Sequence, residues 1–252
     1  ALVEQTIVIP YNDIEATRTQ FKSQPNEIAA IIVEPIAGNM GVAEPAPGFL
    51  KGLREICSEY GALLIFDEVI SGFRVALGGA QELYGITPDL TCLGKIIGGG
   101  LPVGAFGGPR KIMEFLAPVG GVYQAGTLSG NPLAVAAGLA TLAILKRDNP
   151  YPELEKKSAS LADGLAKIFS GKGLLYTINR VGSLLSVFFD IESVRNYEEA
   201  VKANKSRFNS FFAKMLDQGI YLAPSAFEAW FISVAHSYED INHTLECAER
   251  SV

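Results

Sequence analysis

The sequence contains few of the residues that form disulfide frameworks or metal sites. Its three cysteines, Cys57, Cys92 and Cys247, are far apart and lack CxxC spacing. They are expected to be structural thiols in a reducing compartment, either a cytoplasm or a plastid stroma. His236 and His243 have no Cys or His companion at ligand spacing. We therefore expect no metal site and interpret both histidines as structural or surface residues.

Long apolar runs and a large excess of one charge are also lacking. The longest apolar stretches have the length of a strand, so no membrane span is expected. The net charge of -6 argues against nucleic acid as a partner. The start, Ala-Leu-Val-Glu-Gln, has no basic region of a signal peptide. With 48% hydrophobic and 19% charged residues among 252, the composition is that of an ordinary globular protein.

The first half of the chain has the pattern of an α/β fold. Apolar runs at 28–36 and 62–69, and a weaker one at 89–95, are predicted to be strands buried on both faces. Residues 49–60 are predicted to form a helix with one apolar face, ended by Gly61. Strand, helix and strand in this order predict parallel strands joined by crossovers.

A break in the pattern at 148–152, Asp-Asn-Pro-Tyr-Pro, predicts a domain boundary. It separates a large domain, 1–148, from a small domain, 149–252. The large domain has a glycine-rich stretch, 98–108, that is not expected to be regular throughout, and then a helix from Asn131-Pro132 to about 147.

The small domain is predicted to be α+β. Helices are expected at two apolar-periodic segments, and a third should begin at Ser237 with a capping box closed by Asp240. The predicted elements are helices at 153–169 and 204–218 and strands at 183–190, 220–223 and 229–234.

Asp67 and Lys95 both follow predicted parallel strands, at the sheet edge where ligands bind. A partly desolvated acid there favours a cationic partner such as a pyridinium nitrogen, and a lysine can form an imine with an aldehyde. The two groups would face each other across a gap the size of a pyridine ring. From these two residues alone, a helix cap or surface pair for Asp67 and a solvated Lys95 remain open.

Three longer strings carry a resemblance to a known family. FDEVISGFR at 66–74, PDLTCLGKIIGGGLPVGAFGG at 88–108 and YQAGTLSGNPLA at 123–134 closely resemble the class III, fold-type I aminotransferases. LAPSAFEAWFISVAH at 222–236 is similar to the aminomutases of that family, which move an amino group within one substrate molecule. The resemblance implies α/β architecture: a mostly parallel sheet in a large domain, followed by a smaller α+β domain.

The resemblance also implies roles around pyridoxal 5′-phosphate (PLP), which alternates with its pyridoxamine form. Lys95 resembles the lysine that forms the Schiff base, and Asp67 the partner of the pyridine nitrogen. Val69 would pack on the ring, and Asn39 would lie near the phenolic oxygen of the cofactor. Asn39 could also be only a turn residue.

Three further residues are assigned by the same resemblance. Thr127 is similar to the threonine that reaches the phosphate of the neighbouring subunit's cofactor, and Tyr123 would lie near it, which implies a homodimer with shared sites. Glu228 stands where relatives acting on ω-amino acids usually carry an arginine, so it suits an amino-bearing intermediate. A helix cap for Thr127 and a surface role for Glu228 remain open.

The resemblance covers only the later part of such an enzyme. We therefore expect an N-terminal companion segment of the same protein, and without it an exposed first strand. Besides an aminomutase, two alternatives stay open: a class III ω-amino-acid aminotransferase that uses a separate keto acid, and an inactive fragment that needs its companion segment.

Overall fold

The structure, a computed structural model, describes residues 3–252. The first part of the chain forms one sheet with its helices, in the order α1 (Ile14–Ser23), β1 (Ala30–Val33), α2 (Phe49–Tyr60), β2 (Leu63–Asp67), α3 (Gly79–Tyr84), β3 (Leu90–Gly94), β4 (Gly104–Gly107), α4 (Arg110–Met113) and α5 (Pro132–Asp148). Short 3-10 turns lie at Val3–Gln5 and Lys95–Gly98.

The second part forms another sheet with longer helices. Its elements are α6 (Tyr151–Gly171), β5 (Tyr176–Val181), β6 (Leu184–Phe189), α7 (Tyr197–Ala200), α8 (Lys205–Asp217), β7 (Trp230–Phe231) and α9 (Tyr238–Ser251). The sheet is antiparallel in the order β5-β6-β7. Because α5 ends at Asp148 and α6 begins at Tyr151, the predicted break between helices is observed, while the domain boundary itself stays a prediction.

The first sheet has the order β1-β2-β3-β4. Its first three strands are parallel and joined by crossovers, as predicted, and β4 runs antiparallel to β3. β4 lies within the glycine-rich stretch, where four residues are regular enough to pair. Sheet and fold class are therefore those expected: mostly parallel α/β, followed by a smaller antiparallel sheet.

Helix α2 has the predicted bounds and the predicted apolar face. Leu53, Ile56 and Cys57 are buried against the sheet residues Leu64 and Phe66. Burying each of the large apolar side chains contributes about 1.5–3 kcal/mol. Gly61 ends the helix in the left-handed conformation, with φ 69°, as predicted.

The second sheet is covered by α6 and α8, and α9 packs on these two helices. Phe169, Phe189 and Phe211 pack edge to face, with ring centroids 5.3 to 5.9 Å apart. The capping box is present, since the Ser237 side chain accepts from the Asp240 amide and the Asp240 carboxylate accepts from the Ser237 amide. This confirms the predicted start of the last helix.

The prediction of a strand at 220–223 is wrong. The Ile220 amide bonds to the Met215 carbonyl at the end of α8, and Leu222 is buried through side-chain packing without a strand partner. The predicted strand at 229–234 shortens to the two residues of β7, and that at 28–36 to the four of β1. Helix α1 and strand β5 were missing from the prediction.

The first strand was expected to be exposed, and the side chains of this segment agree with that expectation only in part. Ile32 on β1 is 65% exposed, whereas Ile36, just beyond the strand, is buried. Ile36 belongs to a cluster with Val42, Ile70 and Leu184 that joins the two sheets. Within residues 3–252, no helix is both long and apolar enough to cross a membrane.

Candidate active site

Two parallel strands of the first sheet end side by side at charged residues. β2 ends at Asp67, and β3 ends at Gly94, directly before Lys95. Asp67 is the register partner of Cys92. Lys95 therefore lies roughly 10 Å or less farther along the strand direction, at about 3.3 Å per residue. The two residues that the sequence assigns to the chemistry stand at the carboxyl edge of the sheet, where ligands bind.

Lys95 leaves its strand through a left-handed backbone. Regular alternation along β3 would place its side chain on the face opposite that of Cys92. Gly94 is fully extended, but Lys95 has φ 49°, so the alternation stops at this point. The side chain is exposed, and no hydrogen bond or ion pair engages its Nζ in the described part of the chain. The strand thus ends in an unengaged amine.

Helix α5 supports the turn that begins at Lys95. A Cβ on Gly138 would collide with the Ile97 carbonyl oxygen, and a Cβ on Gly99 would come within 2.5 Å of the Ala137 carbonyl oxygen. Two backbones therefore touch with no side chain between them. This contact fixes the direction in which the lysine leaves the sheet.

The Asp67 carboxylate is half-buried and has one engaged oxygen. Its Oδ1 accepts a hydrogen bond of 3.0 Å from the Val69 amide. Burial and the negative charge of Asp67 raise the pKa of the Cys92 thiol, in agreement with the pairing of these two residues across the strands. A Cβ on Gly94 would lie 3.3 Å from Val69 Cγ1, so the turn after β2 packs closely on the end of β3.

Asn39 stands on the loop after β1. Its Nδ2 donates to Glu34 Oε1 at 3.0 Å, and the Gly38 amide donates to Glu34 Oε2 at 2.9 Å. Glu34 thus orients both the Asn39 side chain and the backbone before it. The loop is closed by a bridge between Ala37 and Ala43.

Glu228 stands on a tight turn shortly before β7. Its amide donates to the Ser225 carbonyl at 3.0 Å, and its Oε2 accepts from the Ser225 amide at 3.2 Å. The side chain is exposed. The turn holds one carboxylate oxygen and leaves Oε1 available, since no hydrogen bond reaches that atom within residues 3–252.

A cavity of about 480 Å³ brings three of the predicted residues together. Asn39, Lys95 and Glu228 all line it, although they come from different strands and loops. Small-molecule sites have volumes of roughly 300 to 1,000 Å³. The remaining lining includes Ile70, Leu161, Leu222, Trp230 and His236. An amine, an amide and a carboxylate thus converge on one apolar-walled cavity.

The other predicted residues lie outside this cavity. Asp67 and Val69 do not line it, but Ile70, on the same turn, does. Thr127 is exposed, and Tyr123 is 84% exposed, both on the long loop before α5. Thr127 is not the cap of that helix, because Asn131 Oδ1 accepts from the Leu133 and Ala134 amides.

Sequence reasoning did not assign Trp230 and His236, which line the cavity together with Lys95. Trp230 is the single tryptophan of the chain and is buried beside the Glu228 turn. His236, interpreted as structural, lines the cavity while its Nδ1 accepts from the Ser233 amide at 3.0 Å. His236 has no Cys or His companion at ligand spacing, so no sequence motif pointed to it. Within residues 3–252, no group of His, Cys, Asp or Glu could hold a metal ion.

Comparison with known proteins gives concordant matches. The family profile described as aminotransferase class III matches residues 3–244. Curated relatives called glutamate-1-semialdehyde 2,1-aminomutase are 52–59% identical to the chain. The one from Persephonella marina is 59% identical over 244 residues, which are 97% of this chain and 57% of the relative. The chain thus spans under three fifths of the length of the curated relatives it matches.

Solved structures agree with the fold. An omega-transaminase from Sphaerobacter thermophilus superposes with a TM-score of 0.91 at 30% identity, covering 97% of this chain and 56% of that one. A glutamate-1-semialdehyde aminomutase variant from Pseudomonas aeruginosa, in complex with PMP, has a TM-score of 0.87 at 26% identity, covering 98% and 56%.

Proposed function

Because the chain belongs to the class III aminotransferase family, we propose that the protein containing it is a PLP-dependent aminomutase. The reaction is the conversion of glutamate-1-semialdehyde into 5-aminolevulinate, a precursor of tetrapyrroles, by exchange of an amino group within one molecule. The observation that carries this proposal is the identity of 52–59% to aminomutases along nearly the whole chain.

The residues present fit PLP. The cofactor needs an amine to bond its aldehyde and an acid to pair with its pyridinium nitrogen. The unengaged Nζ of Lys95 supplies the first, and the half-buried Asp67 carboxylate on the neighbouring strand end supplies the second. The 480 Å³ cavity at Lys95 is large enough for a small substrate beside the cofactor.

Four residues would hold the cofactor from this chain. Lys95 would bond it, Asp67 would keep its ring nitrogen protonated, Val69 would pack on the ring, and Asn39 would lie near the phenolic oxygen. When bound, PLP supplies an electron sink that stabilises negative charge on the substrate carbon next to the amino group. Glu34 holds the Asn39 side chain through the 3.0 Å hydrogen bond that Nδ2 donates.

Lys95 and Glu228 would act on the substrate. An amine on a flexible stem can take a proton at one substrate carbon and return it at another, so Lys95 Nζ serves as the general acid and base. Glu228 faces the same cavity and attracts an amino group while it repels a carboxylate. An acid at this position favours an intermediate with two amino groups over an ω-amino acid whose distal carboxylate must be bound.

The partners of the chain belong to the same proposal. A homodimer would bring Thr127 and Tyr123 to the phosphate of the neighbouring subunit's cofactor. The exposed apolar side chains around them support such an interface: Val119, Val122, Leu128, Leu133 and Leu139. An N-terminal companion segment would supply the part that the longer relatives have. We place the enzyme in the cytoplasm, or in the plastid stroma of a plant or alga.

One alternative has its own support. The highest TM-score among the structures described above belongs to an omega-transaminase. A class III aminotransferase acting on ω-amino acids would use a separate keto acid as acceptor. In that case turnover would strictly require 2-oxoglutarate or another keto acid.

The test combines cofactor binding with product analysis. PLP is titrated into the protein with and without the N-terminal segment of a relative, and visible absorbance is compared between the wild type and Lys95→Ala. 5-Aminolevulinate is then measured from glutamate-1-semialdehyde without any keto acid. We expect absorbance that Lys95→Ala removes, and product without 2-oxoglutarate. Strict dependence on a keto acid would rule out the mutase, and a colourless wild type would indicate an inactive fragment.

A further inference from the structure

The turn that follows Asp67 is tied down by its own hydrogen bonds. The Glu68 carboxylate is buried and accepts from Ser71 Oγ at 3.0 Å and from the Ala80 amide at 2.6 Å. The Gly72 amide donates to the Glu68 carbonyl at 2.9 Å. Arg74, at the end of this turn, is therefore carried on a backbone that cannot shift independently of β2.

Arg74 reaches from this turn across to the second sheet. Its Nη1 donates to the Ile232 carbonyl at 3.2 Å and to Ser183 Oγ at 3.4 Å. Its guanidinium carbon lies 5.4 Å from the centre of the Phe231 ring. The cation–π contact thus acts on β7 itself, and the hydrogen bond acts on the residue that follows it.

Among the described residues, no acid forms an ion pair with the Arg74 guanidinium. Arg180, at the same boundary, pairs with Glu155 at 2.7 Å, but Arg74 has no ion-pair partner in the described residues. Burial lowers the pKa of Arg74, in agreement with a partly desolvated cation. Arg74 instead donates its hydrogen bonds to a carbonyl and a hydroxyl. It links the turn after β2 to the second sheet without forming an ion pair.

The other side of the Glu228 turn is attached as well. The Gly41 amide donates to the Phe227 carbonyl at 2.6 Å. Gly41 has φ 75°, and a Cβ there would collide with the Phe188 ring, so the close approach requires glycine. Gly41 belongs to the loop of Asn39. The Glu228 segment is thus held on both sides by loops that carry predicted cofactor residues.

We propose that Arg74 is a positioning residue. From the turn that follows Asp67 it holds the Ile232 carbonyl and the Phe231 ring, and it thereby fixes the place of Glu228 relative to Lys95. The inference rests on the proposed function, because it assigns Arg74 an effect on the selectivity that Glu228 sets. Loss of the attachment loosens β7 and lets ω-amino acids compete.

The first readout needs no substrate. Trp230 is the only tryptophan of this chain and lies between Glu228 and Ile232. In PLP-loaded protein, acrylamide should quench Trp230 fluorescence more strongly in Arg74→Met than in the wild type. Arg180→Met removes a guanidinium at the same boundary that pairs with Glu155 and not with β7, and it is the control. It should leave the quenching constant unchanged.

The second readout is the ratio of aminolevulinate formation to keto-acid-dependent turnover of an ω-amino acid. Glu228→Gln should lower this ratio, and Arg74→Met should lower it about fivefold, in the range of coupling between residues that share a network. Because Arg74 acts through Glu228, the double variant should lower the ratio no further than Glu228→Gln alone. Arg180→Met should not change the ratio.

The outcomes separate the two proposals. An unchanged ratio in Glu228→Gln would count against the proposed role of Glu228, while Trp230 quenching still decides whether Arg74 holds β7. Unchanged quenching and an unchanged ratio in Arg74→Met, or effects of Arg74→Met and Glu228→Gln that simply multiply, would overturn the inference. If Arg74→Met does not fold, Arg74→Gln decides: its shorter, neutral side chain stays polar but offers no cation to the Phe231 ring, and wild-type values in both readouts would overturn the inference.

Discussion

Gly138 on α5 packs directly against the Ile97 carbonyl, two residues beyond Lys95. Gly138→Ala should push α5 away from the turn that carries the lysine. Overpacking costs about 1–3 kcal/mol, which exceeds the gain of about 1 kcal/mol from alanine's higher helix propensity. We expect lower stability in urea and weaker PLP binding in a titration.

Gly171 offers the matched control for this substitution. It is the last residue of α6, and a Cβ there would meet no atom within 4 Å. Gly171→Ala should therefore leave stability and PLP affinity unchanged or slightly raised. Equal stability of the two alanine variants would show that the contact between α5 and the turn is not tight.

Glu68→Gln should destabilise the turn after β2. Glu68 Oε1 accepts from the Gln81 amide at 3.2 Å and from Gln81 Nε2 at 2.9 Å, and Oε2 accepts two more hydrogen bonds. An amide nitrogen in place of either oxygen would face a backbone amide that can only donate, that of Gln81 at Oε1 or that of Ala80 at Oε2. Leaving such buried groups unpaired costs about 2–3 kcal/mol. Urea unfolding measures the loss, and Glu246→Gln on the exposed side of α9 should show none.

The Asp89 carboxylate makes stability depend on pH in acid. Partial burial acts to raise its pKa, but the Leu64 amide and the Arg54 guanidinium, 2.6 Å away, outweigh this effect and hold the pKa below its usual range. A pKa that is lower in the folded state stabilises the protein above the unfolded value of about 3.9. That contribution is lost as the pH falls through the folded value.

Asp89→Asn should therefore lower stability at pH 7 by about 1–2 kcal/mol. It should also reduce the slope of stability against pH below pH 4. Urea unfolding at a series of pH values measures both effects. A slope that matches the wild type would show that Asp89 titrates alike in the folded and unfolded chain.

Local sequence patterns predicted those element boundaries that depend only on residues close in the sequence. Helix α2 has a continuous apolar face and a glycine at its end, and α9 begins with a capping box. The end of α2 and the start of α9 were therefore predicted correctly. Residues 220–223 have the composition of a strand, but in the described part of the chain the second sheet consists of β5, β6 and β7, and this segment does not join it. Pairing is a property of neighbours distant in sequence, and composition does not determine it.

The same distinction applies to the candidate site. Strand ends predicted the placement of Asp67 and Lys95, and family resemblance singled out Asn39 and Glu228. No periodicity indicates that Asn39, Lys95 and Glu228 line one cavity, because loops from both sheets must pack to form it. Arg74 belongs to a string that was recognised only as a whole, so its contacts with Ile232 and Phe231 could not be inferred.

The attachment of β7 also bears on the order of folding. The hydrogen bond from Arg74 to Ile232 joins residues 158 positions apart, and that from Asn12 to Arg195 joins residues 183 apart. Contacts between such distant residues form slowly, because a long loop must close before any of them is gained. The pocket around Glu228 should consequently be among the last regions to become native during refolding. It should also be among the first to exchange its amide hydrogens when the native protein opens transiently.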